Sequence, residues 1–450
     1  MQMRQEAVYR RRRAVFAGLA LLLTVVLAAW IAIFVMQQGA TQGRSAAEAG
    51  PTADDNGQGG GVTEGGGATE GGGATEGAGD GATEGAGASG EDDASGAETD
   101  DSGTDAPPEP PPAPSDQSQM ERVDYLTGDI TPKSVVASGA GLVIANNMMY
   151  SHTSTVYDSR THELVETLDD GLDLTEFGLD GHPGTSQGAP VEAAWTADGR
   201  YAYVSQYTMY GEGFGRTGFD DCSPASGVGA SLLYRFDAQD VAWDQVIEVG
   251  AVPKYVDITP DQTRVLVSNW CDSTISVVDR ESATEVAVIP VDAAPRGIEV
   301  LPDNRTAYVA AMYADKLFKV DLQEGTSEVA METARKPRHL ILSEDGRYLF
   351  MAVSGADTIY KIDTRTDEIV DEVVSGREPR SMAMSSDGTA LYVVNYYEPS
   401  VAKISTQDME VLQKEPTDAN PIGVTYDPVT HEVWVACYGG SLYVFDDQAQ

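Results

Sequence analysis

The chain has 450 residues, and its 71 acidic against 29 basic side chains give a formal net charge of −42. A surface this acidic repels a phosphate backbone, so nucleic acid is not an expected partner. The acid excess suits either a high-salt habitat or the solubility of a secreted protein, and the composition does not choose between them.

The first element is an uncharged apolar segment, residues 14–36, which follows a basic terminus of residues 1–13. As a helix it would be about 34 Å long, slightly more than a bilayer core of ~30 Å. The run Arg10–Arg13 predicts a cytoplasmic N-terminus and an extracytoplasmic remainder. A cleaved signal peptide is the alternative, although its apolar core is usually only ~7–15 residues. We expect a transmembrane signal-anchor helix in the cell membrane, single-pass.

Residues 37–120 form a linker rich in Gly, Ala, Thr, Glu and Asp, with a proline block at 107–114. Such a segment has too few apolar side chains to offset the entropy of ordering, so we predict disorder. We interpret it as a stalk that holds the C-terminal part away from the membrane. A linker with no required reach is the alternative.

From residue 121 onwards, one pattern repeats: a proline, then short strands of aromatic and β-branched residues separated by turns. In the unit that begins at Pro337 the first turn is Asp345-Gly346, a dipeptide that accepts positive φ. The repeat prolines, the last five spaced by 42 residues, are Pro132, Pro190, Pro253, Pro295, Pro337, Pro379 and Pro421. This period, filled with strands, is typical of β-propeller blades. We therefore predict an all-β fold, a seven-bladed β-propeller over residues 121–450.

The last unit predicts how the ring of blades closes. It has three strands, the last near Leu442, before the sequence ends at Gln450. A strand-like segment, Val123–Gly128, lies ahead of the first unit. We predict that this N-terminal strand completes the last blade, because pairing the two ends leaves no sheet edge open.

Two cysteines lie in loops that the repeat places on neighbouring blades. Cys222 falls in an insertion of the second unit, and Cys271 follows the second strand of the third. Both loops emerge on one face in an exported domain, so we predict a Cys222–Cys271 disulfide. Cys437 ends a strand, and we expect a buried, inert thiol.

The residue after the repeat proline is basic in five of the seven units. Inner strands begin at one mouth of the central channel, so we expect a basic ring there: Lys133, Lys254, Arg296, Arg338 and Arg380. The ends of the second strands would surround it with an aromatic rim: Tyr207, Trp270, Tyr313, Tyr396 and Tyr438. As alternatives, the cations pair with acids such as Asp257 and Glu299, and the aromatic side chains pack blade edges.

Two insertions, residues 169–189 and 210–230, are expected on the same face, where loops on a rigid scaffold commonly carry binding groups. The acids of the first could hold Ca²⁺ but lack the EF-hand order, so a solvated acidic loop is the favoured interpretation. His182 and His339 are candidates for chemistry, yet no histidine spacing indicates a metal site. We find no nucleophile elbow, phosphate loop or dinucleotide fingerprint. We assign no catalytic residue, metal or cofactor.

The repeats resemble YVTN-type β-propellers, a family of forty-residue repeats. The resemblance covers residues 121–450 and is carried by Leu391–Asn395 and Val265–Asn269, with Ser268–Cys271 and Val433–Tyr438 similar to a bacterial extracytoplasmic subgroup. It implies the propeller fold. Relatives include lactonase-like hydrolases and surface-layer proteins, and no hydrolase motif maps onto this chain residue by residue.

We therefore favour a membrane-tethered extracytoplasmic binding module over an enzyme. Its expected partner is an anionic small molecule or a cell-envelope component at the channel mouth. The alternative is a lactonase-like hydrolase that uses the same face.

Overall fold

The computed structural model describes residues 119–447. The predicted anchor at 14–36 and nearly all of the predicted linker lie outside this range. Within it, no helix has the length and hydropathy needed to cross a membrane.

In residues 119–447 the strands form seven four-stranded antiparallel sheets and one two-stranded ribbon, which confirms the predicted seven-bladed propeller. The N-terminal strand is β1 (Glu121–Thr127), and blade 1 contains β2 (Ser134–Ala137), β3 (Leu142–Asn147), β4 (Thr153–Asp158) and β5 (Leu164–Asp169). The inserted ribbon contains β6 (Gly171–Asp173) and β7 (Thr185–Gln187), separated by a 3-10 helix at Leu174–Phe177. Blade 2 contains β8 (Pro190–Trp195), β9 (Tyr201–Gln206), β10 (Ser231–Asp237) and β11 (Ala242–Val249), with a 3-10 helix at Pro224–Ser226.

The remaining blades follow the repeat without long insertions. Blade 3 contains β12 (Pro253–Ile258), β13 (Arg264–Asn269), β14 (Thr274–Asp279) and β15 (Thr284–Pro290). Blade 4 contains β16 (Pro295–Val300), β17 (Thr306–Ala311), β18 (Lys316–Asp321) and β19 (Thr326–Glu332). Blade 5 contains β20 (Pro337–Leu342), β21 (Tyr348–Val353), β22 (Thr358–Asp363) and β23 (Glu368–Val374), with a 3-10 helix at Ser354–Ala356. Blade 6 contains β24 (Pro379–Met384), β25 (Ala390–Asn395), β26 (Ser400–Ser405) and β27 (Val411–Pro416), and blade 7 contains β28 (Pro421–Asp427), β29 (Glu432–Cys437) and β30 (Ser441–Asp446).

The ring closes as predicted, because β1 pairs antiparallel with β30 and becomes the outer strand of blade 7. The Tyr125 ring packs edge-on against Tyr443, with centroids 4.9 Å apart. His162 of blade 1 contacts Asp124 and Glu432 at 3.0 Å each, so it links the closing strand to two blades. Closure thus uses side chains as well as the backbone ladder.

The hydrophobic core lies between successive blades. Each sheet presents buried aliphatic and aromatic side chains to its neighbour, as in the cluster that joins Ile275 of blade 3 to Phe318 of blade 4. Met120 is also buried, in the cluster between blades 6 and 7, so it is part of the core. The predicted Asp-Gly turn is present, with Gly346 at φ +68° and Asp345 Oδ1 accepting a 2.6 Å hydrogen bond from Ser343. Stacking of amphipathic sheets around an axis therefore accounts for the fold.

Candidate functional site: the cationic channel mouth

A register shift after the repeat proline positions the basic ring. In blades 3 to 6 the pairing of the two inner strands is interrupted directly after the proline, for example between Pro295 and Ile298. Such bulges re-aim side chains, so the residue after the proline can point to the mouth. All five predicted cations line one cavity of about 240 Å³, the mouth cavity. The sequence thus predicted residues that the fold does bring together.

Three of the five cations have carboxylate partners. Lys254 Nζ donates to Asp220 Oδ1 at 3.1 Å, and Lys133 Nζ lies 3.9 Å from Glu192 Oε2. Arg380 donates to Glu378, two residues before it. Asp220 and Glu378 line the mouth cavity, so both charges remain beside the site.

The other two cations, Arg296 and Arg338, are buried without a carboxylate. They are only 7% and 6% exposed, and neither forms an ion pair with any residue between 119 and 447. The nearest polar contact of Arg338 is Met312 Sδ, 3.7 Å from its Nη1. A guanidinium stays charged in proteins, and a buried charge without a partner is costly. These two side chains give the mouth positive charge that Glu192 and Glu378 offset only at longer range, without an ion pair.

The pKa values of the two ring lysines are lowered by burial and by the neighbouring cations. Burial lowers the pKa of Lys254 to about 7, with Arg296 and Arg338 adding to the effect and Asp220 opposing it. Asp220 is 71% exposed, so solvent weakens its attraction for the ammonium group. Burial and Arg296 also move the pKa of Lys133 well below its usual value. An anion bound at the mouth would offset the repulsion among the ring cations and favour their charged forms.

The aromatic rim contacts the cations directly. Lys254 Nζ lies 4.2 Å from the Tyr207 ring centroid and 5.1 Å from that of Trp270. The Arg380 guanidinium lies 3.6 Å from the centroid of Tyr396. Such cation–π contacts hold the long side chains in place. The rim residues that line the mouth cavity itself are Trp270, Tyr313 and Tyr438.

The second insertion supplies Asp220 through a disulfide-linked loop. Cys222 and Cys271 are joined with their Cα atoms 5.2 Å apart. Trp270 Nε1 donates to the Asp220 carbonyl at 2.8 Å, which fixes the loop beside Lys254. Residues 169–189 do not line the mouth cavity in the described part of the chain. Their His182 instead stacks on Phe214 of the second insertion, with centroids 3.9 Å apart.

Cys437 is buried and unpaired, as expected. It ends β29, deep in blade 7, and burial raises the pKa of its thiol to about 12. The predicted burial is confirmed, and a thiol that stays protonated is a weak nucleophile, which agrees with the expectation of an inert side chain.

The acids proposed as alternative partners of the ring lie deeper in the channel. Asp257 accepts hydrogen bonds from the backbone N–H groups of Ile258 and Val300, at 2.8 and 3.0 Å. Among the described residues, neither Asp257 nor Glu299 forms an ion pair with a ring cation. Thr425 Oγ1, in the inner strand of blade 7, likewise accepts a hydrogen bond from the backbone N–H of Ala137 in blade 1, at 3.1 Å. Asp257 and Glu299 are therefore not the partners of the ring cations, although three of those cations do pair with other acids.

Burial gives the deeper channel a different protonation pattern. Burial raises the pKa of Asp257 to about 7 and moves the pKa of Glu299 well above its usual value, and repulsion from the Asp257 carboxyl group adds to the shift of Glu299. Burial, Arg296 and Arg338 lower the pKa of His339 to about 3, so this histidine is neutral. It lines a separate cavity of about 270 Å³ together with Glu192 and Tyr255. The positive charge is thus confined to the mouth.

Several residues of the site escaped sequence reasoning. Lys336 and Tyr397 line the mouth cavity, as do Met148, Met312 and the two acids Asp220 and Glu378. Lys336 precedes a repeat proline and could have been found from that position. Asp220 lies in an irregular insertion, where no period predicts orientation. Within residues 119–447, no three His, Cys, Asp or Glu side chains converge as a metal site.

Known proteins share the fold with this chain. Residues 327–437, less than half of the chain, match a family model described as the cytochrome D1 heme domain, itself a β-propeller. Among solved structures, the chain is similar to Kuenenia stuttgartiensis hydrazine synthase, with a TM-score of 0.52 and 17% identity over 71% of this chain and 96% of that chain. At this identity the likeness shows the fold alone. No curated protein sequence matches the chain.

Proposed function

We propose that this chain is a binding module whose channel mouth takes up a small anion. The observation that carries the proposal is the burial of Arg296 and Arg338 without a carboxylate partner. Guanidinium groups match carboxylate and phosphate oxygens in a forked geometry, and such charge-assisted hydrogen bonds are strong. A ligand with two or more such oxygens would accept hydrogen bonds from both guanidinium groups at once.

The size of the mouth cavity restricts the ligand. About 240 Å³ lies below the range of roughly 300–1,000 Å³ that drug-sized ligands occupy. Trp270 and Tyr438 give the cavity apolar walls, which suits a compact ligand with a short carbon skeleton. The favoured ligands are small carboxylates and phosphorylated or sulfated groups.

A heme, which the description of the matched family names, does not fit this mouth. The cavity is too small for a macrocycle, and no histidine is among its lining residues in the described chain. Methionine and tyrosine side chains, which can be axial ligands, do line the cavity, so its size is what excludes the macrocycle. His339 lines the neighbouring cavity instead and its ring is already in contact with Tyr255. We therefore derive no role for a heme.

We further propose that the module is extracytoplasmic and tethered to the cell membrane, and that its repeats belong to the YVTN type. The uncharged segment 14–36, the basic run before it and the linker after it support the tether. A disulfide between Cys222 and Cys271 suits an oxidising compartment. The anion would then come from the cell envelope or the medium.

Calorimetric titration of the full-length chain with citrate, sulfate and phosphate tests the binding proposal. Arg296→Gln should weaken binding by roughly 10-fold to 100-fold, because a hydrogen bond to a charged group contributes about 1.5–3 kcal/mol. Arg160→Gln is the matched control, since it removes one exposed cation far from the mouth cavity and should leave affinity unchanged. Wild-type affinity in the Arg296 variant, or no binding of any of the three anions, would overturn the proposal.

A further inference from the structure

A second cluster of unsatisfied polar groups lies where the first insertion meets blade 2. A hydrogen bond in blade 6 provides the comparison. Ser375 follows the outer strand of blade 5, and its Oγ donates at 2.9 Å to Oδ1 of Asn395, which ends the second strand of blade 6. In blade 2 the position four residues before the repeat proline is Ser186, as Ser375 is in blade 6, and Gln206 stands in place of Asn395. The insertion adds Asp170, the residue that follows the outer strand of blade 1.

Asp170 and Gln206 are completely buried but form no such bond. Both carboxylate oxygens of Asp170, and both Oε1 and Nε2 of Gln206, lack a hydrogen-bond partner among residues 119–447. The hydroxyl of Ser186 is also completely buried without a partner in this range. Buried polar atoms are nearly always satisfied, so an unsatisfied cluster points to a bound ion or water.

Backbone contacts show that the three side chains converge. Gly188 N donates to the Asp170 carbonyl at 3.4 Å, and Gly171 pairs with Gln187 in the ribbon. Asp170 and Ser186 therefore lie on one face of the ribbon as diagonal neighbours. A Cβ atom added at Gly188 would lie 2.2 Å from Gln206 Oε1, so the glutamine amide covers this same face.

The Asp170 carboxylate cannot reach solvent by a small movement. Tyr234 donates to its carbonyl at 3.3 Å, and Trp243 donates to the carbonyl of Asp169 at 3.0 Å. Within residues 119–447, no basic side chain forms an ion pair or a hydrogen bond with Asp170.

We propose that Asp170, Gln206 and Ser186 bind a calcium ion that fixes the first insertion onto blade 2. Carboxylate, amide and hydroxyl oxygens are the ligands of hard cations, and Ca²⁺ tolerates an irregular shell that water can complete. Zinc would require nitrogen or sulfur ligands, which this cluster lacks. Asp170 supplies the charged ligand, while the exposed Asp169, whose Oδ1 accepts from Gly171 N at 2.7 Å, lies outside the cluster.

The test is the thermal unfolding of the full-length chain after chelation, followed by titration with CaCl2, MgCl2 or NaCl. Calcium should raise the unfolding midpoint by about 2 °C or more, because a ligand bound only to the folded state stabilises it. The isosteric Asp170→Asn variant should lose this shift. Glu176→Gln, which removes an exposed acid of the same insertion, should keep it. The Glu176 control separates specific binding from weak association of calcium with acidic surfaces.

Two results would overturn the calcium site. One is an unfolding midpoint of the wild-type chain that is the same in chelator and in calcium, which decides the question even if the Asp170 variant fails to fold. The other is an equal calcium shift in wild type and Asp170→Asn. Both outcomes leave the anion-binding measurement at the mouth unaffected, because Asp170 is not among the residues of the mouth cavity.

Discussion

Lys403 and Asp447 form an ion pair in which neither side chain has any exposed surface. Lys403 belongs to β26 of blade 6, whereas Asp447 directly follows β30 of blade 7. Asp447 also accepts a hydrogen bond from the buried Tyr392 hydroxyl. The end of the last blade is thereby fixed to the blade before it.

Asp447→Asn should destabilise the propeller by about 3–5 kcal/mol, because it leaves the buried Lys403 ammonium group without a counter-charge. Chemical denaturation of the full-length chain measures the loss. Glu398→Gln is the matched control, since its partner Lys414 is 2.8 Å away but both side chains are well exposed. That change should cost no more than about 1 kcal/mol. Equal losses in the two variants would contradict the argument.

The affinity of the mouth for an anion should fall as pH rises through about 7. Lys254 has a pKa of about 7, so its ammonium group adds attraction below this pH and loses its charge above it. Sulfate is the suitable probe because it does not itself titrate in this range. Its affinity should decrease roughly fivefold to tenfold between pH 6 and pH 8.5.

Lys254→Met tests the assignment of this pH dependence. The variant should bind sulfate more weakly at pH 6 and show a nearly flat profile, since Arg296 and Arg338 remain charged throughout. Lys361→Met, a change of a lysine distant from the mouth cavity, should preserve the wild-type profile. A slope that persists in the Lys254 variant would assign the titration to another group.

Loss of the disulfide should lower stability by about 2–4 kcal/mol, because the bond joins residues 49 apart in sequence. The Cys222→Ser, Cys271→Ser double variant should also weaken anion binding, since the loop carrying Asp220 loses its attachment beside Lys254. Cys437→Ala is the control: it keeps the disulfide, so its unfolding midpoint should fall under reducing conditions as in wild type, whereas the midpoint of the double variant should not change. Unchanged unfolding midpoints under reducing and oxidising conditions would be inconsistent with a structural bond.

Deletion of residues 121–127 should prevent closure of the ring and lower the unfolding midpoint sharply. It removes β1, which leaves the backbone groups of β30 unpaired and Tyr443 without its partner. A deletion of equal length in the linker, residues 61–67, should have no effect. Circular dichroism during heating compares the two, and similar midpoints would show that blade 7 does not need its fourth strand.

The fold was predictable because each blade repeats the same local signals. Prolines such as Pro337, turns such as Asp345-Gly346 and alternating apolar residues each specify a short element, and a constant period shows that the elements stack. The closing strand followed from a count of strands, without knowledge of any contact. The basic ring followed for the same reason, because equivalent positions in a repeat lie on one circle.

The partners of the ring were not predictable in this way. Asp220 reaches Lys254 through an insertion that has no counterpart in other blades, and its position depends on the disulfide and on Trp270. Asp257 and Glu299 appeared to be suitable partners because they lie near the cations in sequence. In the structure, Asp257 instead accepts hydrogen bonds from the backbone N–H groups of Ile258, in its own strand, and of Val300, in the next blade. Tertiary geometry, rather than sequence distance, selects these pairs.

The acids below the mouth affect how far an anion can move along the central channel. A negative ion that passed Arg296 would next meet Glu192, and beyond it the carboxyl groups of Asp257 and Glu299. Nothing at that depth in the described chain offers it a positive charge. We therefore expect an anion to be held at the mouth, where the cations lie, and to leave from it rather than pass along the axis.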